Sequence, residues 1–142
     1  MKANELMIGD WLQDRSGAIF KVVSIDKHAL TVEYKGEELI QPYPLTLPIP
    51  LTPEILEKNG FEKSYYSILT ADGYKKLPRY KYKNITQVQD ICRNLIVISY
   101  SDLEGGAYDI RCGIGSHIYD LKYVHQLQHA LRLCGIDKEI IL

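Results

Sequence analysis

Cysteine is scarce in this 142-residue chain: Cys92, Cys112 and Cys134 cannot all pair, and no CxxC spacing occurs. That excludes a disulfide framework and fits free thiols in a reducing compartment. No apolar run approaches the ~18 residues of a membrane span. The opening MKANELMIGDWLQD places Glu5 and Asp10 where a secretory signal needs an unbroken apolar stretch. The expected location is therefore cytoplasmic, with no membrane partner. Net charge is also small, −1, with 46% apolar and 25% charged residues, which excludes a disordered or strongly polyionic chain. The length suits one domain of about 100–200 residues, or two small lobes.

Tyrosine is what the chain has in abundance: eleven, against two phenylalanines and one tryptophan. Its large ring and polar tip suit strands with one face near water, so a sheet-rich protein is expected. The near-zero net charge conceals a basic island. Residues 63–83 carry Lys63, Lys75, Lys76, Arg79, Lys81 and Lys83 against Asp72 alone, a local charge of +5 between two mildly acidic stretches.

The pattern predicts an α+β protein of two lobes. Over residues 1–51 the strand signals Trp11–Gln13, Ala18–Asp26, Leu30–Tyr34 and Glu38–Gln41 follow one another at the short spacing of a small antiparallel barrel. An SH3-like β barrel is the expected architecture. The run QPYPLTLPIP (residues 41–50) reads as extended or edge strand and not as helix, because each proline removes a donor and fixes φ. The second lobe, residues 52–142, opens on Thr52-Pro53-Glu54, a hydroxyl cap followed by proline and a carboxylate, with Asn59-Gly60 as the stop. Strands are expected over Tyr65–Thr70, Tyr74–Lys83 with a break at Pro78, Leu95–Tyr100 and Ala107–Cys112, and a short helix over residues 85–92. A C-terminal amphipathic helix follows, with Val124, Leu127, Ala130, Leu131 and Cys134 on one stripe, closed by Gly135. Asp137–Leu142 reads as a short final strand.

Three stretches, ANELMIGDWL, PIPLTPEILEKNGF and YVHQLQHAL, resemble a group of uncharacterised short proteins of Bacteroidetes genomes, often encoded in phages, prophages or other mobile elements. These motifs are structural, a proline-led helix start and an amphipathic helix. The resemblance implies a cytoplasmic, phage-linked origin and transfers no catalytic residue.

Several constellations could carry chemistry. His125 and His129 in HQLQH stand one helical turn apart, with rings about 6 Å from each other. In a zincin helix a glutamate follows the first histidine as general base; here Gln126 stands there, and an amide cannot take a proton at neutral pH. The two histidines remain candidates for metal binding only if His28, His117 or a carboxylate adds a third ligand, and packing against the sheet is the expected role. Cys112 or Cys134 with His117 or His125 carries no nucleophile signature. Residues 112–116 lack the third glycine and the lysine of a phosphate loop, and Asp102, Glu104 and Asp109 fit no calcium loop. No cofactor is expected.

The basic island is the strongest functional signal. In YKKLPRYKYK, Arg79, Lys81 and Lys83 share one strand face and Tyr80 and Tyr82 the other, as on an edge strand protected by outward lysines. The expected function is a non-enzymatic binding or adaptor protein for an unidentified protein partner. The alternative is a nucleic-acid-binding protein using Lys75, Lys76, Arg79, Lys81 and Lys83. Trp11, Tyr34 and Tyr43 are candidates to line a peptide groove on the first lobe, or equally to belong to its core, with the proline run covering that surface.

Overall fold

The computed structural model describes residues 1–83, 95–101, 107–112 and 116–142, and between residues 83 and 120 it describes the side chains of Ile98 and Tyr108 alone. The predicted helix over residues 85–92, with Cys92, lies outside the described residues, as do Asp102, Glu104 and residues 113–115. The architecture is α+β, with two antiparallel sheets and two α-helices among the described residues. The chain divides into two compact units: Met1–Pro50 with Tyr123–His129, and Leu51–Lys122 with Ala130–Leu142.

In the first unit, β1 (Trp11–Asp14), β2 (Ile19–Ile25), β3 (Ala29–Tyr34) and β4 (Glu37–Pro42) form a meander, and β5 (Thr46–Pro48) returns to pair with β1. The strand order is β4-β3-β2-β1-β5. The sheet is open, with β4 and β5 as its two edges, so the expected closed barrel is not formed. Lys35 and Gly36, both at positive φ (51° and 84°), make the two-residue turn between β3 and β4, the geometry that matches strand twist. Alternate residues of the strands turn inward: Leu12, Phe20, Val22, Leu30 and Val32 form one buried cluster with Leu6, each fully buried chain worth roughly 1.5–3 kcal/mol. The proline-rich run differs from expectation. Tyr43–Leu45 form one 3-10 turn before the edge strand β5, because Pro44 has the φ of a helical turn and sits where its missing N–H is not needed.

The second unit opens with α1 (Pro53–Lys58), whose first turn is capped by Thr52 Oγ1 accepting from the Ile55 N–H at 3.3 Å. Gly60, at φ 84°, ends it. Then β6 (Glu62–Thr70), β7 (Gly73–Lys83), β8 (Leu95–Ser101), β9 (Ala107–Cys112) and β10 (Ser116–Leu121) form a sheet in the order β10-β9-β8-β7-β6. Strand β7 runs unbroken through Pro78. The ladder to β8 begins at Arg79, so no bond to that side is lost at the proline. Helix α2 (Val124–Leu133) buries Val124, Leu127, Ala130 and Leu131 as predicted, and also His125 and Gln128. No strand forms over Asp137–Leu142. There Ile136 and Ile140 are buried, and the buried Asn59 takes the place of a neighbouring strand. Its side chain accepts from the Ile141 N–H at 2.8 Å and donates to the Ile141 carbonyl at 2.7 Å. Among the described residues no helix is long and apolar enough to cross a membrane.

Candidate functional site

The hairpin β6–β7 carries the predicted cations, and its register fixes where each one points. Glu62 faces Lys81, Tyr65 faces Pro78, Ser67 faces Lys76 and Leu69 faces Tyr74. Side chains alternate across a strand, so Lys75, Arg79 and Lys81 lie on one face with Tyr66 and Leu77. Lys76 lies on the other with Lys63, Tyr65, Leu69 and Tyr74. Lys75, Lys76 and Lys81 are exposed. Arg79 is half-buried, its guanidinium 4.5 Å from the centre of the Tyr66 ring, a cation–π geometry. Lys83 ends the strand and its side chain lies outside the described residues.

Two features differ from the sequence reading. Strand β7 is interior, bonded to β6 and β8, and among the described residues β6 forms the edge on that side of the sheet. Further, the tyrosines divide. Tyr80 is fully buried, edge-on to Tyr108 at 6.2 Å, and Tyr82 packs on Phe61 at 5.1 Å. Tyr65, Leu69 and Tyr74 are instead 61%, 74% and 81% exposed. Cations and exposed rings therefore do share a face, Lys63 and Lys76 with Tyr65 and Tyr74. Lys63 stands 5.7 Å over the Tyr65 ring.

The groove imagined from Trp11, Tyr34 and Tyr43 does not assemble. Tyr34 and Tyr43 pack against the core of the first unit, while Trp11 pairs in register with Lys21 on the opposite face of the sheet from Leu12.

The histidines of α2 belong to a polar cluster that includes a residue the sequence reading overlooked. Asp10, fully buried, holds His129 Nε2 at 2.8 and 3.0 Å and accepts from the Met7 N–H at 2.8 Å. Beside it Gln128 accepts from the Trp11 N–H and donates to the Gly9 carbonyl, both at 3.0 Å. The two imidazoles lie 5.7 Å apart, edge to face, and His125 stacks on Tyr123 at 5.9 Å. His125 is buried, and among the described residues its Nδ1 has no hydrogen-bond partner. Among the described residues no group of three or more His, Cys, Asp or Glu side chains is placed to hold a metal ion. His28 lies exposed in the turn before β3, and Cys134 is half-buried. His117, Cys112 and Asp109 sit on described strands, but their side chains lie outside the described residues. The carboxylate occupies His129 Nε2, so the pair serves first as a clasp between the start of β1 and α2. The segment Gly9-Asp10 before a strand, with polar residues at helical spacing in HQLQH, is the only trace of it in the sequence.

Burial pushes the His125 imidazole below its ordinary pKa; Asp10 and Glu5 oppose this shift and His129 adds to it. The folded chain thus holds His125 neutral while the unfolded chain takes up a proton near pH 6.5, so its contribution to stability is complete above that pH and is lost on acidification. Thermal melts taken from about pH 7.5 down to about pH 5.5 should show His125→Phe losing less stability than wild type, since Asp10, His129 and Glu5 stay in both proteins. Equal losses would contradict this assignment.

No protein-family model, curated protein or solved structure matches the chain.

Proposed function

We propose that the chain is a non-enzymatic adaptor that binds an acidic polypeptide through the β6–β7 hairpin. The observation that carries this reading is the exposure, on a segment of charge +5, of Tyr65, Leu69 and Tyr74. Large apolar side chains left in water beside cations are the composition of an interface. Gln126, standing where a zincin helix has its general-base glutamate, supports a role without that hydrolysis. The first unit reads as an SH3-like scaffold whose barrel is left open. What supports this is the four-strand meander, the 3-10 turn and the return of β5 to β1. A cytoplasmic, phage- or mobile-element-linked setting, which the sequence resemblance implies, completes the proposal.

Nucleic acid is the second reading, favoured by the sharing of one face by Lys63 and Lys76 with two exposed tyrosines, since bases stack on such rings. Fluorescence anisotropy with a labelled twenty-residue polyglutamate and with a labelled oligothymidine, across 50 to 200 mM salt, separates the two. The adaptor reading expects polyglutamate to bind more tightly, weakening moderately with salt. Five phosphate contacts on that single strand would instead give a slope of about −3.5 and about a hundredfold loss over that range. Tighter binding to the oligonucleotide with so steep a slope would replace the adaptor reading.

A further inference from the structure

We infer that the acidic segment binds by adding a strand to the free edge of β6, with its carboxylates over Lys75, Arg79 and Lys81 and its apolar side chains over Tyr65 and Leu69. This rests on the adaptor reading above and names how that surface takes its partner. Strand β6 is nine residues long and ends its sheet, with β7 on one side and no described strand on the other. Natural edges of that length are usually shortened, bulged or broken by proline. Here the ladder to β7 is continuous from Glu62 to Thr70 without a register shift.

The direction of the backbone groups follows from the turn. Ala71 and Asp72 form a two-residue connection, which makes Thr70 and Gly73 a hydrogen-bonded pair. Narrow and wide pairs alternate in an antiparallel ladder, so Glu62, Ser64, Tyr66, Ile68 and Thr70 turn their N–H and C=O groups toward β7. Pro78, which has no N–H, then falls opposite Tyr65 at a pair that needs none. The same alternation turns the N–H and C=O groups of Lys63, Tyr65, Ser67 and Leu69 outward, where an extended chain can pair with them. Strands lie ≈ 4.8 Å apart, so an added strand is two spacings from β7, within reach of lysine and arginine side chains.

Charge chooses the occupant. A second copy of this chain would bring another +5 hairpin against the first, whereas an acidic segment neutralises it. A phosphate backbone has no N–H to pair with the β6 carbonyls. The occupant is thus an extended polypeptide that alternates acidic and apolar residues.

The test uses an eight-residue alternating Glu–Val peptide with the full chain. Two N-methylated versions are compared, one methylated at every Glu nitrogen and one at every Val nitrogen, because only one set faces β6. Ser67→Pro serves as the protein variant; it removes an outward N–H while leaving the β7 ladder intact, and circular dichroism checks that the fold is kept. The inference expects the plain peptide to bind, one methylation pattern to weaken binding at least tenfold while the other spares it, and Ser67→Pro to weaken it likewise. If polyglutamate and this peptide both fail to bind, the adaptor reading falls and takes the inference with it. If they bind but the two methylation patterns behave alike, strand addition alone is overturned. A wild-type dimer in sedimentation that Ser67→Pro turns to monomer would also overturn it, by giving the edge to a second copy.

Discussion

Replacing Asp10 with alanine should remove roughly 3–5 kcal/mol of stability, the range for breaking one partner out of a buried ionic or hydrogen-bonded pair. The carboxylate is fully buried, with both its oxygens within 3.0 Å of His129 Nε2, and it accepts from the Met7 N–H. Truncation takes the buried carboxylate away from both of those groups, the half-buried His129 and the Met7 N–H, and a polar group that loses its partner away from water costs about 1–3 kcal/mol. The backbone around it is equally committed, since the Gly9 N–H donates to the Val22 carbonyl at 2.7 Å and the Val22 N–H to the Asp10 carbonyl at 2.9 Å. A domain holds only about 5–15 kcal/mol in total, so urea unfolding should show the midpoint falling steeply. Asp10→Asn keeps the shape and an acceptor for Met7 and should lose less than half as much. A loss under about 1 kcal/mol for the alanine variant would mean the clasp is not a main support of the first unit.

Reversing Lys75 and Lys81 together to glutamate should weaken polyglutamate binding about a hundredfold, equivalent to about 2.7 kcal/mol, and leave stability within about 0.5 kcal/mol. Both side chains are exposed and share the β7 face that the added strand's carboxylates would meet. The substitution exchanges attraction for repulsion at two points, and close charge pairs across interfaces couple strongly. The difference should shrink between 50 and 200 mM salt, as the Debye length drops below the ≈ 10 Å it has at 0.1 M. Lys2→Glu with Lys27→Glu makes the same change in net charge at exposed positions of the first unit and should change binding little. Equal loss in both double variants would reduce the effect to overall charge.

The elements with strong local signals were legible in the sequence. Thr52-Pro53 with Gly60 announced α1, Leu95–Tyr100 announced β8, and the Val124–Leu127–Leu131 stripe announced α2, because caps, β-branched runs and helical spacing are all written within one element. What depends on distant pairing was not. Asp10 and His129 are 119 residues apart, and no local period registers their bond. Strand β10, SHIYDL, gives no clear signal in the sequence, because its polar His117 and Asp120 dilute the apolar pattern. The basic strand was placed at an edge because nothing in YKKLPRYKYK distinguishes an edge from an interior strand; only the partners β6 and β8 do. The tail was read as a strand from its isoleucines, and the structure satisfies its backbone with Asn59 instead. In the candidate site the cations were visible as composition, while the exposure of Tyr65, Leu69 and Tyr74 needed the end of the core to be located.

Backbone amide chemical-shift mapping of the full chain titrated with polyglutamate addresses the binding surface most directly. The account predicts that the largest shifts fall within Glu62–Thr70 and Gly73–Lys83, foremost at the outward amides of Lys63, Tyr65, Ser67 and Leu69. Shifts centred instead on Asp10, Trp11 and His129, or none at saturating peptide, would contradict it.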